Sequence, residues 1–340
     1  MQNSRRKRKH NLARNMMIVI ISIIMVLLVI IGYLYFNDSD QPLDLSAAYT
    51  SVGAAQVSEA ERASTAVPFA DDLCVSEQNV DLLNINFQYP DEHGLLFNLE
   101  TKEAKFARGI YDRIYPASIT KIMTAILYIK YANPDERVTI TGEDVSLGAD
   151  SQLAGFQIGD TVTMQQLFSS LLVYSANDAA MAIARQIGGD VDRFVLLMNE
   201  EARKLGMTGT HFVNPHGLHD NDHYTTPYDV YLMLNEASRH TEITDIMKNS
   251  IYKLEVTGED GQLRTYNLDA TDKYLSGEHD LPEGVTIMAG KTGTTDEAGS
   301  CLALAVQNQY GVPYIAVVMN APNKQVLYAD MDTLLTQTNA

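Results

Sequence analysis

Residues 16–36, MMIVIISIIMVLLVIIGYLYF, are apolar but for Ser22 and Gly32. Wound as a helix at about 1.5 Å per residue, the run is about 31 Å long, which matches the hydrocarbon thickness of a bilayer. A secretory signal would have a shorter apolar core with a small-residue cleavage site close behind it. Here the run ends in Tyr33, Tyr35 and Phe36, and Ser46-Ala47-Ala48 lies well downstream. The expectation is therefore one uncleaved transmembrane helix over 16–36. Residues 1–15 contain Arg5, Arg6, Lys7, Arg8, Lys9 and Arg14 and no acid. Basic flanks stay on the cytoplasmic side, so residues 1–15 are expected to be a cytoplasmic tail and everything after 36 to lie outside the cell.

Those six residues belong to a chain with 25 basic and 43 acidic side chains, so the rest carries 19 against 43. A body this acidic lacks the basic face that phosphates require, and no nucleic-acid partner is expected. A hydrophobic content of 46% supports a packed core. Two cysteines, Cys74 and Cys301, are too few for a disulfide scaffold or a four-cysteine zinc site, and two free thiols are the default.

Residues 37–72 are rich in Ala, Ser and acids, which reads as an extracytoplasmic linker, helical in part around 54–63. A globular domain is expected over 73–340. Its first feature is a hairpin in 94–109. The segment 118–132, SITKIMTAILYIKYA, has helical patterning but is apolar nearly all round, as in a helix enclosed by its domain. Further helices are predicted at 164–174, 178–187, 191–205 and 227–239, the last with Thr226 as N-cap and Pro227 in its first turn. Strands are expected at 285–294, 300–308 and 312–320, and a last helix at 324–336. Strands, then helices, then strands predict an α+β domain. Its antiparallel sheet would join both ends of the domain and be flanked by helices, with an all-helical lobe beside it.

Three short elements carry chemistry. Ser-x-x-Lys occurs at Ser4, Ser118 and Ser250, so the pattern alone decides nothing. Only Ser118 sits at the mouth of a buried helix. Ser-x-Asn (Ser175-Ala176-Asn177) and Lys-Thr-Gly (Lys291-Thr292-Gly293) each occur once. Their order, each at a junction between elements, points to nucleophilic acyl transfer. A serine hydroxyl needs a base. Residues i and i+3 share a helix face, so Lys121 can reach Ser118. The lysine must be neutral to act, and burial and a second cation such as Lys291 both favour that form. A surface lysine is the plain alternative, but Ile119, Ile122, Met123 and Ile126 surround this one in sequence. Ser175 can relay a proton, and Asn177 can hydrogen-bond a substrate amide. The run Lys291-Thr292-Gly293-Thr294 ends a strand, where a peptide could pair along the edge and meet Lys291 and Thr292 with a carboxylate. His211, His216, His219 and His223 crowd together, yet spacing alone is poor evidence for a metal, and neither metal nor cofactor is expected.

The wording around these elements resembles the penicillin-recognising serine acyl enzymes, a motif set that is well described. It is closer still to the low-molecular-mass D-alanyl-D-alanine carboxypeptidases. YPASITKIMTAI, YSANDAA, NPHGL, TTPYDV and MAGKTGTTDEAGSCLA carry the likeness over about 94–320. The resemblance implies Ser118 as the acylated nucleophile, Lys121 as base and Ser175 as proton relay. Asn177, Lys291, Thr292, Gly293 and Thr294 would meet the substrate, and the backbone N–H groups of Ser118 and Thr294 would form an oxyanion hole. It also implies a bacterial cell-membrane location, a peptidoglycan stem peptide ending in D-Ala-D-Ala as substrate and β-lactam antibiotics as covalent inhibitors. Three alternatives share the motifs: a D,D-endopeptidase, a β-lactamase and a non-catalytic penicillin-binding sensor. No glutamate here is followed by asparagine four residues later, so one water-activating device of β-lactamases is missing. Many such carboxypeptidases carry a C-terminal β domain and an amphipathic anchor. Neither is legible here, and anchoring is expected to fall to 16–36.

Overall fold

A computed structural model describes residues 73–148 and 151–339, together with Met25. The expected tail (1–15), transmembrane helix (16–36) and linker (37–72) lie outside the described residues but for Met25. Among the described residues no helix is long and apolar enough to cross a membrane.

In chain order the domain runs β1 (Val80–Asp81), β2 (His93–Asn98), β3 (Glu103–Arg108), a 3₁₀ turn (Ala117–Thr120) and α1 (Lys121–Tyr131). Then come β4 (Arg137–Thr139), α2 (Gly142–Val145), β5 (Thr161–Thr163), α3 (Met164–Val173), α4 (Asn177–Gly188), α5 (Val191–Lys204), α6 (Pro227–Ala237) and α7 (Thr241–Met247). The chain closes with β6 (Ile251–Thr257), β7 (Leu263–Asp269), α8 (Lys273–Ser276), β8 (Thr286–Thr295), β9 (Gly299–Gln307), β10 (Pro313–Ala321) and α9 (Lys324–Thr336).

The main sheet is antiparallel, in the order β1-β3-β2-β10-β9-β8. Pairing of β2 with β10 ties the start of the domain to its end, as the sequence predicts. The central strands are buried on both faces, which is why β9 and β10 read as unbroken apolar runs rather than alternating ones. Cys301, Ala303, Ala305, Ile315 and Val317 face the helical body. Their neighbours Leu302, Leu304, Val306, Ala316 and Val318 face α9, packing with Leu327, Met331 and Leu334. On the other side α1 is enclosed by the helices, with Tyr128 stacked on Phe168 at 3.8 Å. Thr226 caps α6 by accepting from Asp229 N–H, as expected.

One expectation needs correction. The lobe is not all-helical, because β4, β5, β6 and β7 form a second antiparallel sheet. Two of its strands have three residues each, and the other two expose every second residue and bury only Leu254, Val256 and Leu268, so the apolar signal of this sheet is faint. Both cysteines are free and buried, and burial pushes the Cys301 thiol up to about 12.

Candidate active site

The three motif elements come from distant parts of the chain and meet where the 3₁₀ turn, the α3–α4 break and edge strand β8 converge. Ser118 lies in the 3₁₀ turn rather than in the helix proper, since Ala117 has φ +46° and regular helix begins only at Lys121. A 3₁₀ turn eclipses residues i and i+3. That brings Lys121 Nζ to 2.8 Å from Ser118 Oγ.

Lys121 is wholly buried. Its Nζ also lies 2.7 Å from Asn177 Oδ1 and 2.8 Å from the His216 carbonyl. Both of those atoms can only accept. A neutral amine has two protons and one lone pair. The two protons match the two pure acceptors, and the lone pair is left for the Ser118 hydroxyl proton. Burial first, and then the neighbouring Lys291, hold the Lys121 ammonium well below the ordinary lysine range.

Ser175 occupies the break between α3 and α4 with φ +66°. This left-handed turn lets α3 end and α4 restart on a new axis, presenting Ser175 and Asn177 inward. Asp178, in the first turn of α4, accepts from the N–H groups of Ala154, Gly155 and Ala179 and so fixes the segment beside the cleft. Asn177 N–H donates to Gln152 O at 2.8 Å.

On β8, the register sets Lys291 opposite Ala303 and Gly293 opposite Cys301. Both therefore point toward the helical side. Lys291 is buried and donates to Ser175 Oγ at 2.9 Å and to Thr292 O at 3.1 Å. Burial pulls it down to about 7, with Asp272 opposing. Thr292 Oγ1 is 2.6 Å from Thr271 Oγ1. At Gly293 a Cβ would stand 2.9 Å from Pro116 O and 3.0 Å from Ser118 N, so glycine lets the strand lie against the nucleophile's turn.

Ser118, Ser175, Asn177, Thr292, Gly293 and Thr294 all line one cleft, while Lys121 and Lys291 sit beneath its floor. The wall also includes Gly217 and Leu218 of the NPHGL segment, Gln152 and Thr271, which sequence reading did not single out, and the exposed Lys324 at the start of α9. The NPHGL segment was legible as part of the family likeness, but its contact with the nucleophile's turn was not. Gly217 has φ +90°, and a Cβ there would lie 1.8 Å from Ala117 O, so this loop underlies the nucleophile's turn. The histidines in the loop have protein partners: His211 Nδ1 meets Asp222 O, His216 Nδ1 accepts from Leu218 N–H, and His219 stands edge-on to Tyr115. The competing Ser250 pattern leads nowhere, as Lys253 is exposed and pairs with Glu255.

The geometry agrees with comparisons to known proteins. The family model described as D-alanyl-D-alanine carboxypeptidase (peptidase S11) matches residues 92–323. The D-alanyl-D-alanine carboxypeptidase DacF of Bacillus subtilis is 30% identical over 249 residues, covering 71% of this chain and 60% of that one. DacD of Escherichia coli, which bears the same description, is 32% identical, covering 70% and 61%. A D-alanyl-D-alanine endopeptidase of Escherichia coli is 28% identical, covering 66% and 70%. The chain thus spans about 60% of the length of the two carboxypeptidases. The crystal structure of the Streptomyces K15 DD-transpeptidase superposes with a TM-score of 0.65 at 27% identity, covering 72% of this chain and 95% of that one. With the family model spanning most of the chain and the family's motif residues gathered around one cleft, this chain belongs to the D-alanyl-D-alanine carboxypeptidase family, peptidase S11.

Proposed function

We propose that the protein is a serine-type D-Ala-D-Ala carboxypeptidase that trims the terminal D-Ala from peptidoglycan stem peptides through an acyl-enzyme, and that penicillin inhibits it by acylating the same serine. The observation that carries this reading is the wholly buried Lys121 amine 2.8 Å from Ser118 Oγ under an open cleft, where burial and Lys291 favour the neutral form that can take the hydroxyl proton. In the first step the Ser118 hydroxyl proton passes to Lys121 Nζ as Oγ bonds to the penultimate D-Ala carbonyl carbon. The oxyanion would be met by the N–H groups of Ser118 and Thr294. Collapse of this intermediate breaks the peptide bond, and the departing D-Ala nitrogen takes a proton from Ser175. The proton held on Lys121 Nζ replaces it, with Lys291 holding the Ser175 hydroxyl in place, so that Lys121 is neutral again. Water then attacks the ester, with Lys121 again as base, and Ser118 is regenerated.

Edge strand β8 offers its main chain to a bound peptide. The Lys291 ammonium is engaged below the floor, so the terminal carboxylate would meet the threonine hydroxyls of β8 and Lys324 on the cleft rim. The endopeptidase reading uses the same machinery and is supported by relatives that bear that name. A β-lactamase would hydrolyse penicillin rapidly, and a sensor would stay acylated. The test is a fluorescent penicillin with intact-mass analysis. One adduct per chain, on Ser118 and absent from Ser118→Ala, supports the reading, and a label elsewhere refutes it.

We further propose that residues 16–36 anchor the enzyme in the bacterial cell membrane, single-pass, with the N-terminus cytoplasmic and the catalytic domain outside, on the strength of the apolar run and its basic flank. Protease added to cells stripped of wall should remove the domain and leave a short membrane stub. A mature N-terminus near Ala48 would contradict the anchor.

A further inference from the structure

A chain of hydrogen bonds leads from the loop 213–223 to the peptide unit before the nucleophile. Val213 N–H donates to His223 Nδ1 at 3.1 Å. An accepting Nδ1 carries no proton, so in the neutral ring the proton sits on Nε2. That Nε2 lies 2.7 Å from Thr120 Oγ1. Thr120 Oγ1 in turn lies 2.8 Å from Ala117 O, an atom that only accepts. The single hydroxyl proton of Thr120 must therefore go to Ala117 O, and its oxygen accepts from His223 Nε2–H. Each direction is fixed by the atoms at the two ends.

Ala117 C=O and Ser118 N–H are opposite ends of one planar peptide group. Gripping the carbonyl fixes the plane and so fixes where the N–H points. A donor on the carbonyl also polarises the peptide and makes its N–H a stronger donor, and linked hydrogen bonds reinforce one another in a dry interior. The grip has work to do, because Ala117 is held at φ +46°, a conformation that alanine avoids. His223 is 1% exposed and stands edge-on to Phe212 at 5.6 Å. A polar ring in so dry a place is costly unless its hydrogen bonds are made.

We propose that His223 is a positioning residue for acyl transfer: through Thr120 it orients and polarises the Ala117–Ser118 peptide, so that Ser118 N–H is presented to the oxyanion. This rests on the acyl-transfer reading above. His223 touches no reacting atom and acts only through the relay.

The test exploits two partial mimics in the full-length protein. Gln at 223 can place its amide nitrogen where Nε2 was, keeping the donor to Thr120. Asn places its oxygen where Nδ1 was, keeping the acceptor for Val213 but losing the donor. Thr120→Val removes the hydroxyl at nearly constant shape. The readouts are the second-order rate of acylation by a fluorescent penicillin, kcat and KM on a D-Ala-D-Ala peptide, and the melting temperature. Outright loss of an oxyanion donor costs about 100- to 1,000-fold in kcat, so weakening one should cost less, about 10- to 100-fold. His223→Asn and Thr120→Val should each slow acylation by that amount and lower kcat with little change in KM. His223→Gln should stay within about threefold of wild type, and the Asn/Val double variant should be no slower than the worse single one. If the His223 variants do not fold, Thr120→Val decides alone. Wild-type acylation by a folded Thr120→Val, or equal loss in the Gln and Asn variants, would overturn the proposal. Failure of penicillin to label wild-type Ser118 would overturn this proposal and the acyl-transfer reading together, whereas undiminished rates in a labelled Thr120→Val overturn this one alone.

Discussion

Asn177→Asp is the sharpest perturbation of the site, because it changes charge with almost no change in shape. Asn177 Oδ1 lies 2.7 Å from Lys121 Nζ. A carboxylate there would hold the ammonium form. At that distance and an effective dielectric of about 20, Coulomb attraction is worth about 6 kcal/mol. Part of this is offset by desolvating the new carboxylate, and an opposite charge at close range typically moves a pKa by about 1–3 units. In the wild type, burial and Lys291 keep the amine's pKa low. Raising it leaves less neutral lysine at a given pH. Each unit costs about tenfold in base availability once the pKa passes the assay pH. The predicted result is acylation by penicillin slowed by about 10- to 1,000-fold at pH 7, recovering as the pH is raised, so that the acid limb of the profile moves up. Asn177→Ala adds no charge and should lose activity without that upward displacement. The assay is a stopped-flow acylation profile from pH 5 to 10. An Asn177→Asp profile with its acid limb where the wild type has it would refute the neutral-lysine mechanism.

Other consequences can be checked separately. Amidating the terminal carboxylate of a D-Ala-D-Ala peptide should cost about 10- to 150-fold in kcat/KM, the worth of one charge-assisted hydrogen bond, and Lys324→Ala should narrow that gap; equal rates on acid and amide would favour an endopeptidase. Burial, together with the neighbouring Glu92, pushes Asp330 up to about 7. The folded state then keeps a proton that the unfolded chain releases above about pH 4, so stability should fall as pH rises from there to about 7. Asp330→Asn should flatten the difference in melting temperature between pH 5 and pH 8, and an unchanged difference would contradict that assignment.

Much of this site was legible in the sequence for a physical reason. Ser175-Ala176-Asn177 and Lys291-Thr292-Gly293 are unique in the chain, and the apolar surroundings of Lys121 announced its burial before any coordinates did. Helices α3 to α6 were readable from their periodicity, and Thr226-Pro227 marked the start of α6. Contacts between distant segments were not readable. Nothing local says that Gly217 lies under Ala117, or that His223 reaches Thr120, because those pairs are about a hundred residues apart. Strand alternation told which side chains of β8 share a face but not which face is covered, so the inward turn of Lys291 to Ser175 emerged only from the packed sheet. Short strands such as β4 and β5 carry too few residues for a period to show.

Release of free D-Ala tests the account most directly. The full-length protein should be incubated at neutral pH with a stem peptide ending in D-Ala-D-Ala, and free D-Ala followed over time beside Ser118→Ala and Lys121→Arg. A positioned general base contributes about 100- to 10,000-fold, so Lys121→Arg, which stays cationic, should lose at least that much although it keeps the charge. The account predicts stoichiometric D-Ala release by the wild type, none by Ser118→Ala, and a rate for Lys121→Arg lower by that factor. A wild type that binds penicillin but releases no D-Ala, or a Lys121→Arg variant that turns over at the wild-type rate, would contradict it.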